Sequence, residues 1–256
     1  MRSYEPHYYE YARSAGGWTL FPRREVLGYL KERARAGDAL LEIGCGTAEI
    51  LGVLPASVSY TGVERSAYAV ESAGARWQSS NPGARFLAGE AEHLPFHEGE
   101  FDFVLMLYTL EHVADPKGAL LEAVRVLKPN GNLIILAPNL EFPLASPNAI
   151  RHKSFLYRIW FKFLRFGDYL KRIIGIYRFR ILRENFVEHT GKYEKKDDDL
   201  RYAVSSWEVV WFLDTLGAKL ELFWGEKELH GWRRLARRLP AMRWYGTTLA
   251  AAFVKN

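Results

Sequence analysis

The chain has a single cysteine, Cys45, among its 256 residues. One thiol closes no internal disulfide and builds no cysteine metal cluster, so a reducing compartment suits it. No spacing of histidines, cysteines and acids reads as a metal site either. Nowhere do ~18 uncharged apolar residues run together, so no segment reads as membrane-spanning. The opening residues, Met1-Arg2-Ser3-Tyr4-Glu5, hold no apolar stretch of the kind that export signals need. A cytoplasmic location is the expectation. Internal repeats and low-complexity tracts are absent. What remains, 48% hydrophobic and 25% charged residues, describes an ordinary globular chain with a proper core.

Acidic residues are also scarce in one region. Residues 1–150 carry 13 Lys/Arg against 18 Asp/Glu, whereas residues 151–256 carry 22 against 12. Within 151–196 the ratio is 13 to 4. This asymmetry fits either a solvated basic face or a region that meets an anionic partner: a membrane surface, a nucleic acid or an acidic substrate.

The chain is organised around Ala39-Leu40-Leu41-Glu42-Ile43-Gly44-Cys45-Gly46-Thr47-Ala48-Glu49. Its apolar start has no polar face, as a strand buried on both sides requires. An acid and a Gly-x-Gly turn follow, then a stretch that reads as helix. Glycine permits the sharp turn, and its missing Cβ lets a ligand approach the main chain. Further strands are expected at Ser59–Val63, Arg85–Ala88, Phe101–Leu107 and Asn132–Ala137. Helices are expected near Arg23–Arg35, Ser66–Ser79 and Pro116–Leu127. This alternation implies an α/β fold with a doubly wound, mostly parallel sheet. Ligands of such sheets lie beyond the carboxyl ends of the strands. The glycine turn, Glu64, Glu90 and the run Tyr108–His112 all follow a strand, so they should gather at that edge.

The rhythm breaks at Pro138. Residues 151–175 read as a helix whose Arg151, Arg158, Lys162, Arg165 and Arg172 fall on one face, with Leu156, Ile159, Trp160, Phe163, Leu164, Leu170 and Ile174 largely elsewhere. Tyr177–Ile181 alternates with period two, as a short strand would, and Lys192–Asp199 reads as a loop. Ser205 or Ser206 caps a helix from Trp207 to Leu216 that Gly217 closes. Lys219–Trp224 and Thr247–Val254 supply an antiparallel pair at the sheet edge. The whole is one domain, 1–256. Residues 1–36 form a helical lid, 38–140 the core, 141–200 a basic aromatic insertion after the fifth strand, and 201–256 the end of the sheet.

An acid about 20 residues beyond the glycine turn also fits a nicotinamide dinucleotide site. That fingerprint requires a further glycine where Glu49 stands, and a carboxylate there repels a pyrophosphate that a helix terminus should attract. A nucleoside sulfonium meets no such conflict.

Leu41-Glu42-Ile43-Gly44-Cys45-Gly46-Thr47-Ala48 resembles the first motif of class I S-adenosylmethionine (SAM)-dependent methyltransferases. Glu64 matches the acid after their second strand, and Gly89-Glu90-Ala91-Glu92-His93-Leu94-Pro95-Phe96 resembles their adenine-side segment. Phe101-Asp102 through Leu110-Glu111-His112-Val113, and Arg125-Val126-Leu127-Lys128-Pro129-Asn130-Gly131, are similar to the fourth and fifth motifs. Together these cover residues 38–140, and the nearest subgroup is the ubiquinone/menaquinone-type and small-molecule methyltransferases. The resemblance implies that Gly44, Cys45 and Gly46 lie against the methionine part of SAM, which Glu42 orients. It places Glu64 on the ribose with Arg65 beside it, Glu90 and Ala91 at adenine, and Leu107 and Tyr108 closing the methionine side. Two departures stand out: Ala48 replaces a usual glycine, and Glu90 an aspartate.

His112, on the same edge, is the candidate general base for a hydroxyl acceptor, or simply a brace of its loop. His152 and His189 are alternatives. Cys45 reads as a packing residue, and not as a nucleophile. The Asp-Pro-Pro-Tyr type of segment that amino-group methylases usually carry is replaced by Leu107-Tyr108-Thr109-Leu110, which points to an oxygen or carbon acceptor. The expected activity is methyl transfer from SAM to a small or lipid-like molecule. An RNA methyltransferase and a non-catalytic protein binding a membrane or partner through the insertion stay open. Tyr8, Tyr11 and Trp18 either form part of a lid or pack on the sheet. The insertion, over 151–183, serves as a substrate cap or touches anionic lipid.

Overall fold

The computed structural model describes residues 9, 20–141, 150, 153–182, 200–225 and 246–256. Tyr8, Tyr11, Trp18, Arg151, His152, His189 and the expected loop 192–199 lie outside the described residues. In chain order the elements are α1 (Arg23–Arg33), β1 (Ala39–Ile43), β2 (Ser59–Glu64), α2 (Ala67–Trp77), β3 (Arg85–Ala88) and β4 (Phe101–Leu107). Then follow α3 (Pro116–Val126), β5 (Leu127–Pro138), α4 (Phe155–Ile173), α5 (Ser206–Thr215), β6 (Ala218–Phe223) and β7 (Thr248–Lys255). They form one seven-stranded sheet in the order β3-β2-β1-β4-β5-β7-β6. The first five strands are mutually parallel, and β7 runs antiparallel to both β5 and β6. The doubly wound, mostly parallel sheet with an antiparallel edge is the one expected from the apolar runs.

The period of two along each strand builds two cores. Leu41 and Ile43, with Leu133, Ile135, Leu249, Ala251 and Phe253, face a layer containing Leu120 and Val124 of α3 and Val209 and Leu213 of α5. The alternate residues Leu40, Phe103, Leu105, Ile134, Leu136, Ala250 and Ala252 face Val26, Tyr29 and Leu30 of α1 and Ala73 of α2. Both faces are therefore apolar, which is why these strands read as continuous hydrophobic runs.

Several elements begin or end where side-chain chemistry dictates. Ser66 and Ser205 accept the Ala69 and Glu208 amides and so cap α2 and α5, while Asp115 accepts the Lys117 amide at the start of α3, with Pro116 in its first turn. β5 starts five residues earlier than the expected Asn132, with a register shift against Phe101–Phe103 that absorbs Lys128–Gly131. After the glycine turn only one 3-10 turn forms, Glu49–Gly52, in place of the expected helix. Tyr177–Ile181 is not a strand; it makes only an isolated bridge from Ile181 to Tyr202. Its alternate aromatics instead stack on α5 and its approach, Tyr177 against Trp211 and Phe179 against Tyr202.

The largest departure is α4. Its cationic residues do share a face, but only part of that face turns inward: Arg165 and Arg172 are buried with Asp168 and Phe161, whereas Arg158 is exposed and Lys162 half-buried. The aromatic and aliphatic face points out. Two carboxylates beneath the helix explain the orientation. Arg172 approaches Glu141 at 3.0 Å and donates to Glu208 at 2.9 Å. Arg165 donates to the Leu140 carbonyl, and Asp168 accepts both arms of Arg180 at 2.7 Å. A buried carboxylate without a cation costs more than an exposed Phe, so the arginines take the inside. Burial works against the charge of Arg172, but Glu141 and Glu208 outweigh it and hold its pKa above the usual arginine value. Among the described residues no helix is long and apolar enough to cross a membrane.

This network carries a prediction. Arg172→Met leaves Glu141 and Glu208 together without their cation and should lower unfolding free energy by about 3–5 kcal/mol in urea denaturation. Adding Glu141→Gln and Glu208→Gln should restore most of that loss. An additive result would show that the three groups are not coupled.

Candidate functional site

The carboxyl ends of β1, β2 and β4 and the segment after β3 enclose a cavity of about 320 Å³. Its walls contain Glu42, Gly44, Cys45, Gly46, Glu64, Arg65, Glu90, Ala91, Leu107, Tyr108 and His112; the alternative bases His152 and His189 lie outside the described residues.

The glycine turn is set by close approaches. Gly44 and Gly46 have φ of 72° and 51°. The Gly44 and Cys45 amides both donate to the Val63 carbonyl, at 2.7 and 3.1 Å. A Cβ on Gly44 would stand 2.4 Å from the Thr109 side chain, whose hydroxyl donates to the Ile43 carbonyl at 2.9 Å. Thr109 therefore draws the end of β4 onto the end of β1, and only glycine fits between them. Ala48, which stands in place of a usual glycine, keeps a left-handed φ of 55° while fully buried. That conformation costs an alanine about 1 kcal/mol. Tyr108 is likewise left-handed, with φ of 59°, at the end of β4, a strained position on the cavity wall.

The carboxylates give the site its character. The carboxylate of Glu64 accepts the amides of Gly46 and Ser66, each at 3.0 Å, so it faces the cavity while fastened to the turn. Glu42 is buried, with the Tyr60 hydroxyl donating to it at 2.6 Å. Burial pushes its carboxyl up to about 7; the Tyr60 bond and the charge of Arg23 offset only part of this. A rise of that size corresponds to roughly 3 kcal/mol between the protonated and ionised forms. Burial also pushes the Cys45 thiol well up, with Glu42 and Glu64 adding to it, so the thiol is no nucleophile. Glu49 differs from its expected role. It is paired with Arg76 at 2.5 Å and accepts from the Thr47 hydroxyl at 2.9 Å, so its charge is largely compensated. Apart from Glu49, the four carboxylates Glu42, Glu64, Glu90 and Glu92 line the cavity against the three guanidinium groups of Arg23, Arg65 and Arg201. A ligand with a cationic centre supplies the charge that Glu42 lacks, and one with a phosphate aggravates the imbalance.

His112 closes a 3-10 turn, Leu110–His112, and its Nε2 lies 3.8 Å from the buried Glu111 carboxylate. The Glu111 carbonyl accepts the amides of Arg201 and Tyr202, at 2.7 and 2.9 Å, and so ties the segment leading into α5 to the cavity wall. Sequence reasoning missed Arg23, Tyr9, Tyr60 and Arg201, and placed Thr109 at this edge without a role. Arg23 lies 5.8 Å above the Tyr108 ring, and Tyr9 backs the Gly46 turn. Neither position has a motif of its own. Tyr60 carried a signal, since alternation along β2 places it on the same side as Gly62, whose missing side chain makes room for Cys45. Among the described residues no group of His, Cys, Asp and Glu holds a metal geometry.

A family profile described as a methyltransferase domain matches residues 41–135. The 27-O-demethylrifamycin SV methyltransferase of Amycolatopsis mediterranei is 37% identical over 105 residues, which are 40% of this chain and 39% of that one. The demethylmenaquinone methyltransferase of Symbiobacterium thermophilum is 32% identical over 163 residues, 61% of either chain. The chain thus spans less than two thirds of the length of both curated relatives. Among solved structures, a SAM-dependent methyltransferase from Aquifex aeolicus aligns with a TM-score of 0.58 at 14% identity, covering 99% of this chain and all of that one. The 4+2 cyclase SpnF aligns at 0.54 and 17% identity, covering 91% of this chain and 81% of its own. Identities this low establish a shared fold and no shared chemistry.

Glu42 also sets a pH dependence. Its folded-state carboxyl holds a proton more tightly than in the unfolded chain, so its contribution to stability is full below the unfolded value of 4.5 and is lost as pH rises through about 7. Urea unfolding from pH 5 to 8 should show this decline, and Glu42→Gln should make it shallower. An unchanged slope in the variant would place the effect elsewhere.

Proposed function

We propose that this chain, which carries a methyltransferase domain over residues 41–135 on the class I methyltransferase fold, transfers the methyl group of SAM to an oxygen or carbon of a small or lipid-like acceptor. The observation that carries the reading is the buried carboxylate of Glu42 in a cavity with an excess of acids. It fits a ligand that brings a sulfonium and an ammonium group and no phosphate.

The residues present fit that ligand in kind. Gly44, Cys45 and Gly46 would offer backbone to the methionine part, and Glu42 would orient its ammonium. Arg23, across the same end of the cavity, is suited to the carboxylate of that part. Glu64, held by two amides, keeps lone pairs for the ribose hydroxyls, with Arg65 next to it. Glu90 and Ala91 would face adenine, and Leu107 and Tyr108 would close the methionine side. Bound SAM would supply an electrophilic methyl group on sulfur, the S–CH3 bond breaking as the acceptor bond forms and S-adenosylhomocysteine leaving as the neutral thioether. The chain's own work is then to align the acceptor, exclude water and remove a proton.

His112 suits the last of these. As a base it takes the proton of an acceptor hydroxyl, and the positive charge it gains lies 3.8 Å from the Glu111 carboxylate. The relatives named for rifamycin, demethylmenaquinone and 2-phytyl-1,4-naphtoquinone support an acceptor of this small or lipid-like class. Burial of Arg165 and Arg172 removes half of the described cationic face that a nucleic-acid reading relied on.

The experiment is methyl transfer from methyl-labelled SAM to a panel of reduced demethylated quinones and phenols, with cellular RNA as a competing acceptor. Label should enter the organic-extractable fraction. His112→Ala should lower kcat by about 100- to 10,000-fold on a hydroxyl acceptor while leaving SAM affinity unchanged. Label on RNA alone would overturn the acceptor class, and full activity of the His112 variant would overturn its role as base.

A further inference from the structure

Among the described residues, the outward face of α4 lines neither the cavity nor either core of the sheet. Phe155, Leu156, Ile159, Phe163, Leu170 and Ile173 fall within an arc of roughly 100° around the helix axis. Phe155, Leu156 and Phe163 are 72%, 76% and 71% exposed. Trp160, 52% exposed, borders the arc. The arc lies opposite Phe161, Arg165, Asp168 and Arg172, the residues that the helix buries. An apolar stripe along a 19-residue helix is larger than the scattered exposed hydrophobics of an ordinary surface. The helix cannot turn this stripe inward, because the pairs from Arg172 to Glu141 and Glu208, and from Asp168 to Arg180, fix the opposite face.

We propose that this stripe is a docking surface for an anionic lipid bilayer, on which α4 lies flat with its apolar arc among the acyl chains. Three observations select lipid as the occupant. Charge complementarity is the first. Arg158 and Lys162 flank one side of the arc and Lys171 the other, while the only acid of α4, Asp168, is buried and paired with Arg180. No acid of the helix opposes an anionic headgroup, and cations beside an apolar face are the pattern of an interfacial helix. The second is the border. Trp160 stands just beyond the edge of the stripe and packs on Tyr157 behind it at 5.4 Å, where an amphipathic ring suits a headgroup boundary. The third excludes a second copy. Pairing this face with itself would set two cation-flanked stripes together with no exposed acid on either helix to offset them, whereas anionic headgroups neutralise them. The helix lies on the membrane without crossing it. This inference stands independently of the acceptor's identity.

The test uses the full chain with sedimented vesicles of phosphatidylcholine alone or with about one third phosphatidylglycerol. The protein should partition onto the anionic vesicles, less so as salt rises. Leu156→Glu with Phe163→Glu should lower partition by at least about 10-fold while leaving the thermal unfolding midpoint and SAM binding unchanged, since both side chains are exposed. Arg158→Gln with Lys162→Gln should lower it about 30-fold, two cations at about fivefold each. No partition onto anionic vesicles, or partition indifferent to the Glu substitutions, would overturn the proposal. So would self-association in vesicle-free solution that the Glu substitutions abolish, which assigns the face to a second copy.

Discussion

The cavity rests on a carboxylate that the fold has buried without a matching cation. Glu42 lies one residue before the end of β1 inside the protein, and one hydroxyl, that of Tyr60, is its close partner in the structure. Around it the backbone is fixed with little freedom to adjust. Gly44 sits against Thr109, the Gly46 amide is held by Glu64, and Ala48 and Tyr108 keep left-handed conformations. The same two strand ends thus place negative charge at the mouth of the sheet and hold it there. A ligand that carries positive charge completes the arrangement, and its differential affinity comes from charges already oriented before it arrives.

The same physics governs the insertion. Glu141 and Glu208 are buried beside the start of α5, where Glu141 also accepts from the Ser205 hydroxyl and Glu208 from Tyr202. Burial raises the Glu208 carboxyl to about 7 against the pull of Arg172, so this carboxylate too is costly to keep ionised. Arg172 is drawn in to meet both acids, and the rest of α4 follows by helical geometry. The apolar stripe on the outside is therefore a consequence of the polar cluster on the inside. It costs hydrophobic burial, and a lipid surface returns that burial.

Most of the core was legible because parallel strands buried on both faces leave continuous apolar runs. β3 and β4 begin and end where Arg85–Ala88 and Phe101–Leu107 place them. The nominated cavity residues were legible for a related reason: in this topology strand ends converge, so a motif after a strand has one place to go. What the pattern left open was which face of a helix or segment turns inward. The face of α4 was decided by Glu141 and Glu208, which belong to distant parts of the chain and have no periodic signature. Tyr177–Ile181 alternated as a strand does, but its aromatics stack on Trp211 of α5 and on Tyr202 just before it. Arg23 and Arg201 reach the cavity from elements on either side of the core, and only the fold brings them together.

Calorimetric titration of SAM into the intact chain, alongside a nicotinamide dinucleotide, addresses the cavity most directly. SAM should bind at one site and the dinucleotide should not. Glu64→Gln should weaken SAM about 10- to 100-fold, the loss expected when charged hydrogen bonds become neutral. Saturable binding of the dinucleotide with none of SAM would contradict the account.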